Sequence, residues 1–93
     1  MTRINEYFDG NVKSIAFQTE TLPATVGVMV PGEYVFDTSD REKVTVISGA
    51  LTIQLTGEDS YTSYTEGQSF NVPANSSFNV KVTIDTSYLC LYG

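Results

Sequence analysis

Hydrophobic and polar residues alternate with a period of two along most of the chain. From Ala50 to Leu55 apolar side chains take every second position, and from Ser77 to Thr83 they do so again. A strand with one buried face and one solvated face has this pattern. The alternation predicts nine strands, near residues 11–19, 24–30, 33–37, 43–48, 50–55, 61–65, 68–72, 77–83 and 87–92.

Turn-forming residues separate these segments, for example Asp9-Gly10-Asn11, Ser48-Gly49 and Glu66-Gly67. Only the first ten residues could hold a helical turn. Short, evenly spaced strands without covering helices must bury their apolar faces against one another, as in a barrel or a two-sheet jelly roll. An immunoglobulin-type sandwich is the rival, but the chain has no Trp and a single Cys. We therefore predict one all-β domain, a small jelly-roll barrel, over residues 1–93.

Charge and composition exclude several classes of function. Eleven acidic residues against five basic ones give a net charge of −6, and the basic residues are scattered. A nucleic-acid-binding protein needs clustered Lys or Arg to neutralise phosphates. No apolar run approaches the length of a membrane span, and the first six residues do not resemble a signal peptide. We expect a cytoplasmic protein that binds neither nucleic acid nor membrane.

The single cysteine excludes an intrachain disulfide. Cys90 lies in the apolar run Tyr88–Tyr92, which favours a buried, inert thiol over a reactive nucleophile. The chain contains no His, so a Cys–His catalytic pair cannot form.

Two stretches of the chain carry turn residues at a spacing that indicates a particular kind of barrel. In the first, Gly32 leads after five residues to Thr38-Ser39-Asp40, and Glu42 leads after six residues to Gly49. This spacing resembles the first cupin motif, although the gap before Glu42 is shorter than in that motif. The His positions of this motif carry Thr38 and Asp40, and only the carboxylate position, Glu42, is retained. The spacing resembles a cupin barrel.

The second stretch supports the same interpretation. Gly67 and Pro73 match the second cupin motif, Asn75 takes the place of a Gly, and Phe78 takes the place of the third His. Asn tolerates the left-handed backbone angles that the Gly would adopt. Two carboxylates, Asp40 and Glu42, with a Phe opposite make a poor ion cage, so we expect no metal cofactor.

Longer segments resemble a particular family, the small pyrimidine/purine nucleoside phosphorylases, which are short bacterial cupins. The resembling segments are 5–8, 12–15, 26–30, 32–34, 45–51, 70–73 and 86–90. The resemblance implies a metal-free homodimer that cleaves several nucleosides with phosphate. The products would be free base and pentose 1-phosphate. No cofactor is implied, and inorganic phosphate is the co-substrate.

Phosphorolysis indicates which side chains to consider. The transition state has oxocarbenium character, so we assign the catalytic contact with ribose to Glu42. Phe78, Tyr34, Phe36 and Thr38 are the candidates for binding the substrate. Stacking on aromatic rings suits many bases, because every base has a π-face.

Lys13 and Arg41 are the candidates for binding phosphate, since Lys13 lies in a resembling segment and Arg41 could bind bidentately. Each assignment has a structural alternative. Phe78 and Tyr34 could be core residues, and Glu42 could be an exposed acid paired with Arg41 or Lys43.

Two other functions stay open at this stage. A non-catalytic cupin could bind a nucleoside or a sugar as a sensor, using the same barrel and pocket. A metal-dependent isomerase or dioxygenase is the third possibility, and the missing imidazoles argue against it.

Overall fold

The computed structural model describes residues 3–93 as ten antiparallel strands in two sheets. The strands are β1 (Arg3–Tyr7), β2 (Val12–Gln18), β3 (Pro23–Met29), β4 (Gly32–Asp37), β5 (Glu42–Ser48), β6 (Ala50–Leu55), β7 (Thr62–Thr65), β8 (Ser69–Val72), β9 (Ser77–Val82) and β10 (Thr86–Tyr92). One sheet has the order β1-β2-β3-β10-β5-β8 and the other has the order β4-β9-β6-β7. The predicted all-β jelly-roll architecture is confirmed. The described residues contain no helix long and apolar enough to cross a membrane.

The period-two alternation has the expected structural meaning. In β9, Phe78, Val80 and Val82 are buried, whereas Lys81 between them is exposed. In β8, Phe70 and Val72 are buried on either side of exposed Asn71. The inner faces of both sheets meet in one apolar core. Burial of these faces is the main stabilising contribution in a β-sandwich, where no helix covers the sheets.

The expectation of a helical turn in the first ten residues is wrong for residues 3–10. Residues Arg3–Tyr7 form an edge strand that pairs with β2, from Arg3 opposite Ala16 to Tyr7 opposite Val12. Residues 1 and 2 lie outside the described part. An edge strand tolerates polar residues on both faces, so β1 shows little of the alternation that identifies the other strands.

A tight turn joins β1 to β2. Phe8 and Asp9 both have positive φ angles, 55° and 57°, and the Gly10 amide donates to the Tyr7 carbonyl at 3.2 Å. Gly10, with a φ of 84°, continues this left-handed path, and the four residues 8–11 separate the paired Tyr7 and Val12. A positive φ is rare for an aromatic residue, and Phe8 is held there by its ring packing against Tyr34 and Phe36.

Asn75 adopts a φ of 53°, which confirms that it takes over the left-handed backbone conformation of a motif Gly. It belongs to the turn between β8 and β9, which the Thr38 side chain holds in place. The Thr38 hydroxyl donates to the Pro73 carbonyl at 2.7 Å and accepts from the Ser76 amide at 2.9 Å. The end of β4 is thereby tied to the start of β9.

Candidate functional site

A cavity of about 400 Å³ opens between the two sheets. This volume is in the range of small-molecule sites, roughly 300–1,000 Å³. Its walls combine an aromatic side with a polar end. The lining residues that carry the argument are Phe8, Phe36, Phe78, Asp40, Glu42 and Tyr92.

The aromatic side of the cavity comes from the second sheet and from the β1–β2 turn. Phe36 and Phe78 are directly paired across β4 and β9, and their rings stack at a centroid distance of 5.5 Å. The Phe8 ring meets Phe36 edge-on, also at 5.5 Å. At this separation Phe36 and Phe78 touch each other, so a flat ligand would pack against the pair rather than between the rings.

The polar end comes from β5 and β10 of the first sheet. Glu42 is half-buried, and the Cys90 thiol donates to its Oε1 at 3.4 Å. Burial raises the pKa of the Glu42 carboxyl, the Cys90 hydrogen bond lowers it, and the nearby Asp40 charge raises it again. Glu42 is therefore partly desolvated and faces the cavity, the arrangement expected for a carboxylate that contacts a ligand.

Neutral hydrogen-bond donors surround this carboxyl. Burial raises the pKa of Tyr88 to about 12 and raises the pKa values of the Cys90 thiol and the Tyr92 phenol as well. At neutral pH all three groups keep their protons. The prediction that Cys90 is buried is confirmed, and a thiol with a raised pKa is a poor nucleophile.

The structure brings three of the predicted site residues together. Glu42, Phe36 and Phe78 all line the cavity. Phe78 is at the same time a core residue with 6% of its surface exposed, so the core and pocket interpretations both describe it. The roles of Glu42, Phe36 and Phe78 in binding or catalysis stay predictions.

Four predicted site residues lie elsewhere. Tyr34 is buried, packs on Phe8 and Phe36 and donates its hydroxyl hydrogen to the Val30 carbonyl. Thr38 uses its hydroxyl in the turn contacts described above. The two predicted phosphate-binding residues are also outside the cavity lining.

Those two residues lie on the surface. Lys13 points to the outer side of β2 and pairs with Glu6 at 3.5 Å. Arg41 is exposed in the β4–β5 turn, where its guanidinium approaches the Gly93 carbonyl at 3.5 Å. All five Lys and Arg side chains are within residues 3–93, and none of them lines the cavity.

Several lining residues are not among the site residues predicted from the sequence. Tyr88, Cys90 and Tyr92 occupy alternate positions of β10 and point inward. Their spacing was visible as a strand pattern, but only the pairing of β10 with β5 places them next to Glu42. Phe8 carried one signal, its position directly before an Asp-Gly turn.

The motif positions that bind metal in cupins are occupied by groups of other chemistry. Phe78 offers no lone pair, and the Thr38 hydroxyl is engaged in the turn. Within residues 3–93 no group of three or more His, Cys, Asp or Glu side chains could hold a metal ion.

The architecture and the cavity define a cupin-type barrel. Among solved structures, a cupin from Shewanella frigidimarina superposes with a TM-score of 0.76 over 98% of this chain and 82% of its own, at 20% identity. A Vibrio parahaemolyticus protein described as of unknown function superposes with a TM-score of 0.97 at 45% identity, covering 100% of this chain and 99% of its own.

Sequence comparison gives the particular family. The pyrimidine/purine nucleoside phosphorylase family profile matches residues 2–92. A Hahella chejuensis protein with that name is 59% identical over 93 residues, which cover the full length of both chains. This chain therefore belongs to the pyrimidine/purine nucleoside phosphorylase family.

Proposed function

We propose that this protein is a metal-independent nucleoside phosphorylase with broad base specificity. The observation that supports this most strongly is the cavity itself, where the half-buried Glu42 faces the Phe36–Phe78 aromatic pair in a member of this family. Aromatic rings bind a base through its π-face, and a carboxylate accepts hydrogen bonds from the hydroxyls of a pentose.

The proposed reaction transfers a pentose to phosphate. A phosphate oxygen forms a bond to the anomeric carbon while the glycosidic C–N bond breaks. The electron pair of that bond leaves with the base, which takes up, overall, the proton that the attacking phosphate oxygen loses. Positive charge builds up on the sugar in the transition state. The acidic side chains of the cavity, Asp37, Asp40 and Glu42, provide a negative field that stabilises this charge.

Broad specificity follows from what the base would contact. The proposed base-binding wall consists of Phe8, Phe36 and Phe78, whose rings offer area and no hydrogen-bonding pattern. Purines and pyrimidines would both stack on this wall. The sensor alternative uses the same cavity, so turnover distinguishes it from the phosphorylase.

The test is an incubation of the purified protein with inosine or uridine, with and without phosphate and with and without a chelator. We expect free base only when phosphate is present, one pentose 1-phosphate for each base by ³¹P NMR, and no effect of the chelator. Release of base without phosphate would indicate a hydrolase. Thermal stabilisation by nucleosides without turnover would favour a sensor, and activity lost in chelator would contradict metal independence.

We also propose that the protein is a homodimer formed through the outer face of the first sheet. An apolar patch of five exposed residues lies on β1, β2 and β3, namely Ile4, Ile15, Phe17, Val26 and Val28. Exposed contiguous apolar patches mark interaction sites. A second copy is the occupant we infer, because Lys13 and Glu6 flank this patch. A two-fold arrangement would place the same apolar patch of a second copy against it, with the Lys13–Glu6 pair of each copy beside the interface.

A further inference from the structure

The proposed reaction raises an electrostatic problem at its second substrate. Three acidic side chains, Asp37, Asp40 and Glu42, line the nucleoside cavity, and none of the five Lys and Arg side chains, all within the described residues, does so. Like charges at close range in a partly desolvated site repel strongly. Phosphate therefore needs a cation that stands beside the cavity rather than in it.

Three of the five cations point away from the barrel interior. Lys13 and Lys43 occupy exposed outward positions of β2 and β5. Lys81 lies on the outer side of β9, with its ammonium 4.2 Å from the centre of the Tyr61 ring. Arg41 is exposed in its turn, where its guanidinium already approaches the Gly93 carbonyl, and the surface pocket that it shares with Lys43 and Glu42 contains no aromatic side chain.

Arg3 is exposed like the other four cations, but strand pairing places it on the inner face of the first sheet. Arg3 is opposite Ala16, Ala16 is opposite Thr25, and Thr25 is opposite Cys90. Directly opposed residues of neighbouring strands project from the same face of a sheet. Arg3 therefore shares a face with Cys90, which is part of the cavity wall.

The Arg3 side chain lines a second cleft that adjoins the nucleoside cavity. Asn5, Gln18 and Thr25 line this cleft too, and Asp40, Tyr7 and Tyr92 line both the cleft and the cavity. Among residues 3–93, no carboxylate lies within 4.0 Å of the Arg3 guanidinium. Arg3 is thus available to an anion, and the Asp40 charge would direct that anion toward the Arg3 end of the cleft.

Two hydroxyl groups, those of Thr25 and Tyr92, line the same cleft as Arg3. Thr25 Oγ1 and the Tyr92 hydroxyl are 2.9 Å apart, so one donates to the other. The pair keeps one further O–H hydrogen that can be donated to a ligand. Tyr92 is also paired with Glu42 across β10 and β5, so the residue that borders the cleft is next to the proposed ribose contact.

We propose that Arg3, assisted by the Thr25–Tyr92 hydroxyl pair, binds the inorganic phosphate in this cleft and presents it to the sugar beside Glu42. The inference rests on the proposed function for the direction of attack, but the anion site itself can be tested without turnover. A guanidinium binds phosphate through parallel N–H donors, and the cleft contains only one of the three acidic side chains of the cavity, Asp40, so the repulsion is smaller there.

The kinetic test compares Arg3→Gln with the wild-type protein. Loss of a charged hydrogen-bond donor should raise the KM for phosphate about tenfold or more, leave the KM for nucleoside unchanged and be partly rescued in Arg3→Lys. Lys81→Gln removes an exposed cation on the outer side of β9 and serves as the matched control. A phosphate KM that is unchanged in Arg3→Gln would overturn the assignment, as would an equal loss in Lys13→Gln or Arg41→Gln.

The binding test separates this inference from the proposed function. Binding of inorganic phosphate is measured by ³¹P NMR or calorimetry with wild-type, Arg3→Gln and Tyr92→Phe proteins, whose folding is checked by circular dichroism. Weaker binding in both variants supports the site even if no nucleoside is cleaved. If the wild-type protein cleaves nucleosides and Arg3→Gln binds phosphate as tightly as the wild type, the function stands and the Arg3 site is wrong.

Discussion

Glu42 is the proposed contact with ribose, but its ionised form lowers the stability of the folded protein. It is half-buried, receives a thiol hydrogen bond from Cys90 and is close to the negative charge of Asp40. Burial and Asp40 both raise its pKa, so ionisation of Glu42 costs stability in the folded protein. Residues held in such surroundings are frequently retained for function.

The pH dependence of the folding stability of the Glu42→Gln variant tests whether ionised Glu42 is destabilising. A carboxyl whose pKa is raised on folding binds more protons in the folded state, so stability falls as pH rises from 4.5 through the folded-state value. The amide cannot titrate. We expect Glu42→Gln to be more stable than the wild type at neutral pH, with the difference shrinking as the pH falls toward 4.5 and levelling off below it.

Turnover of the same variant should fall about 100-fold. Glu20→Gln, at an exposed loop position, is the matched control for both thermal unfolding and turnover. If Glu42→Gln is less stable than the wild type at pH 7, the desolvation argument fails. If its turnover is unchanged, Glu42 has no role in catalysis.

Phe8 allows the aromatic wall to be tested without collapse of the core. It is 42% exposed, whereas Phe78 is only 6% exposed. Truncation of Phe78 to Ala would cost about 3–5 kcal/mol of folding stability and would obscure an effect on binding. Phe8→Ala should raise the nucleoside KM about tenfold, since stacking contributes about 1–3 kcal/mol per base.

The control for Phe8→Ala is Tyr61→Ala, which removes an exposed aromatic ring away from the cavity. Steady-state kinetics with inosine and uridine provide the measurement. Equal nucleoside KM values for Phe8→Ala and the wild type would show that the β1–β2 turn does not contribute to base binding.

At the scale of elements, the corner between β5 and β6 carries the chain from one sheet to the other. Gly49 forms this corner with a φ of 101°. The buried Thr86 hydroxyl fills the space beside it and accepts a hydrogen bond from the Ala50 amide at 3.1 Å. A Cβ on Gly49 would be 2.5 Å from that hydroxyl oxygen.

Gly49→Ala should therefore destabilise the fold by about 3 kcal/mol or more, because backbone strain and a steric clash add. Gly57→Ala is the matched control. Gly57 also has a positive φ, 87°, but no atom lies within 4 Å of its added Cβ, so strain alone should cost about 1–2 kcal/mol. Urea denaturation measures the free energy of unfolding of both variants. Equal losses in the two variants would contradict the packing described for this corner.

The elements differ in how far the sequence predicts them. The strands β2 to β10 follow from alternation and turn residues, because each directs at least one apolar side chain toward the core. The strand β1 does not, because Arg3, Asn5 and Glu6 on an edge strand give no alternation. The motif spacing placed Glu42 and Phe78 at a common site, and the cavity contains both. The position of Arg3 on the inner face depends on strand register, which the sequence does not specify for β1.

At the scale of the whole molecule, the two faces of the first sheet have different tasks. The inner face carries the proposed phosphate and ribose contacts. The outer face carries the apolar patch, which consists of Ile4, Ile15, Phe17, Val26 and Val28. A small domain buries a limited fraction of its surface, so pairing of two patches would add stability to both copies.

The proposed dimer predicts the effect of a charge in the patch. Ile15→Glu should convert the protein to a monomer in sedimentation velocity, because burial of an unpaired carboxylate in an apolar interface is costly. Ile84→Glu places the same charge at a residue that is 55% exposed outside the patch and should leave a dimer. A monomeric wild-type protein, or a dimer that persists in Ile15→Glu, would contradict this interface.

The most direct test of the account is a crystal structure of the Glu42→Gln protein with bound inosine, since the slowed variant should hold the intact nucleoside. We predict that the ribose hydroxyls lie within hydrogen-bond distance of residue 42 and that the base packs on Phe8, Phe36 and Phe78. A nucleoside bound elsewhere on the protein, with the cavity between the sheets empty, would contradict the account.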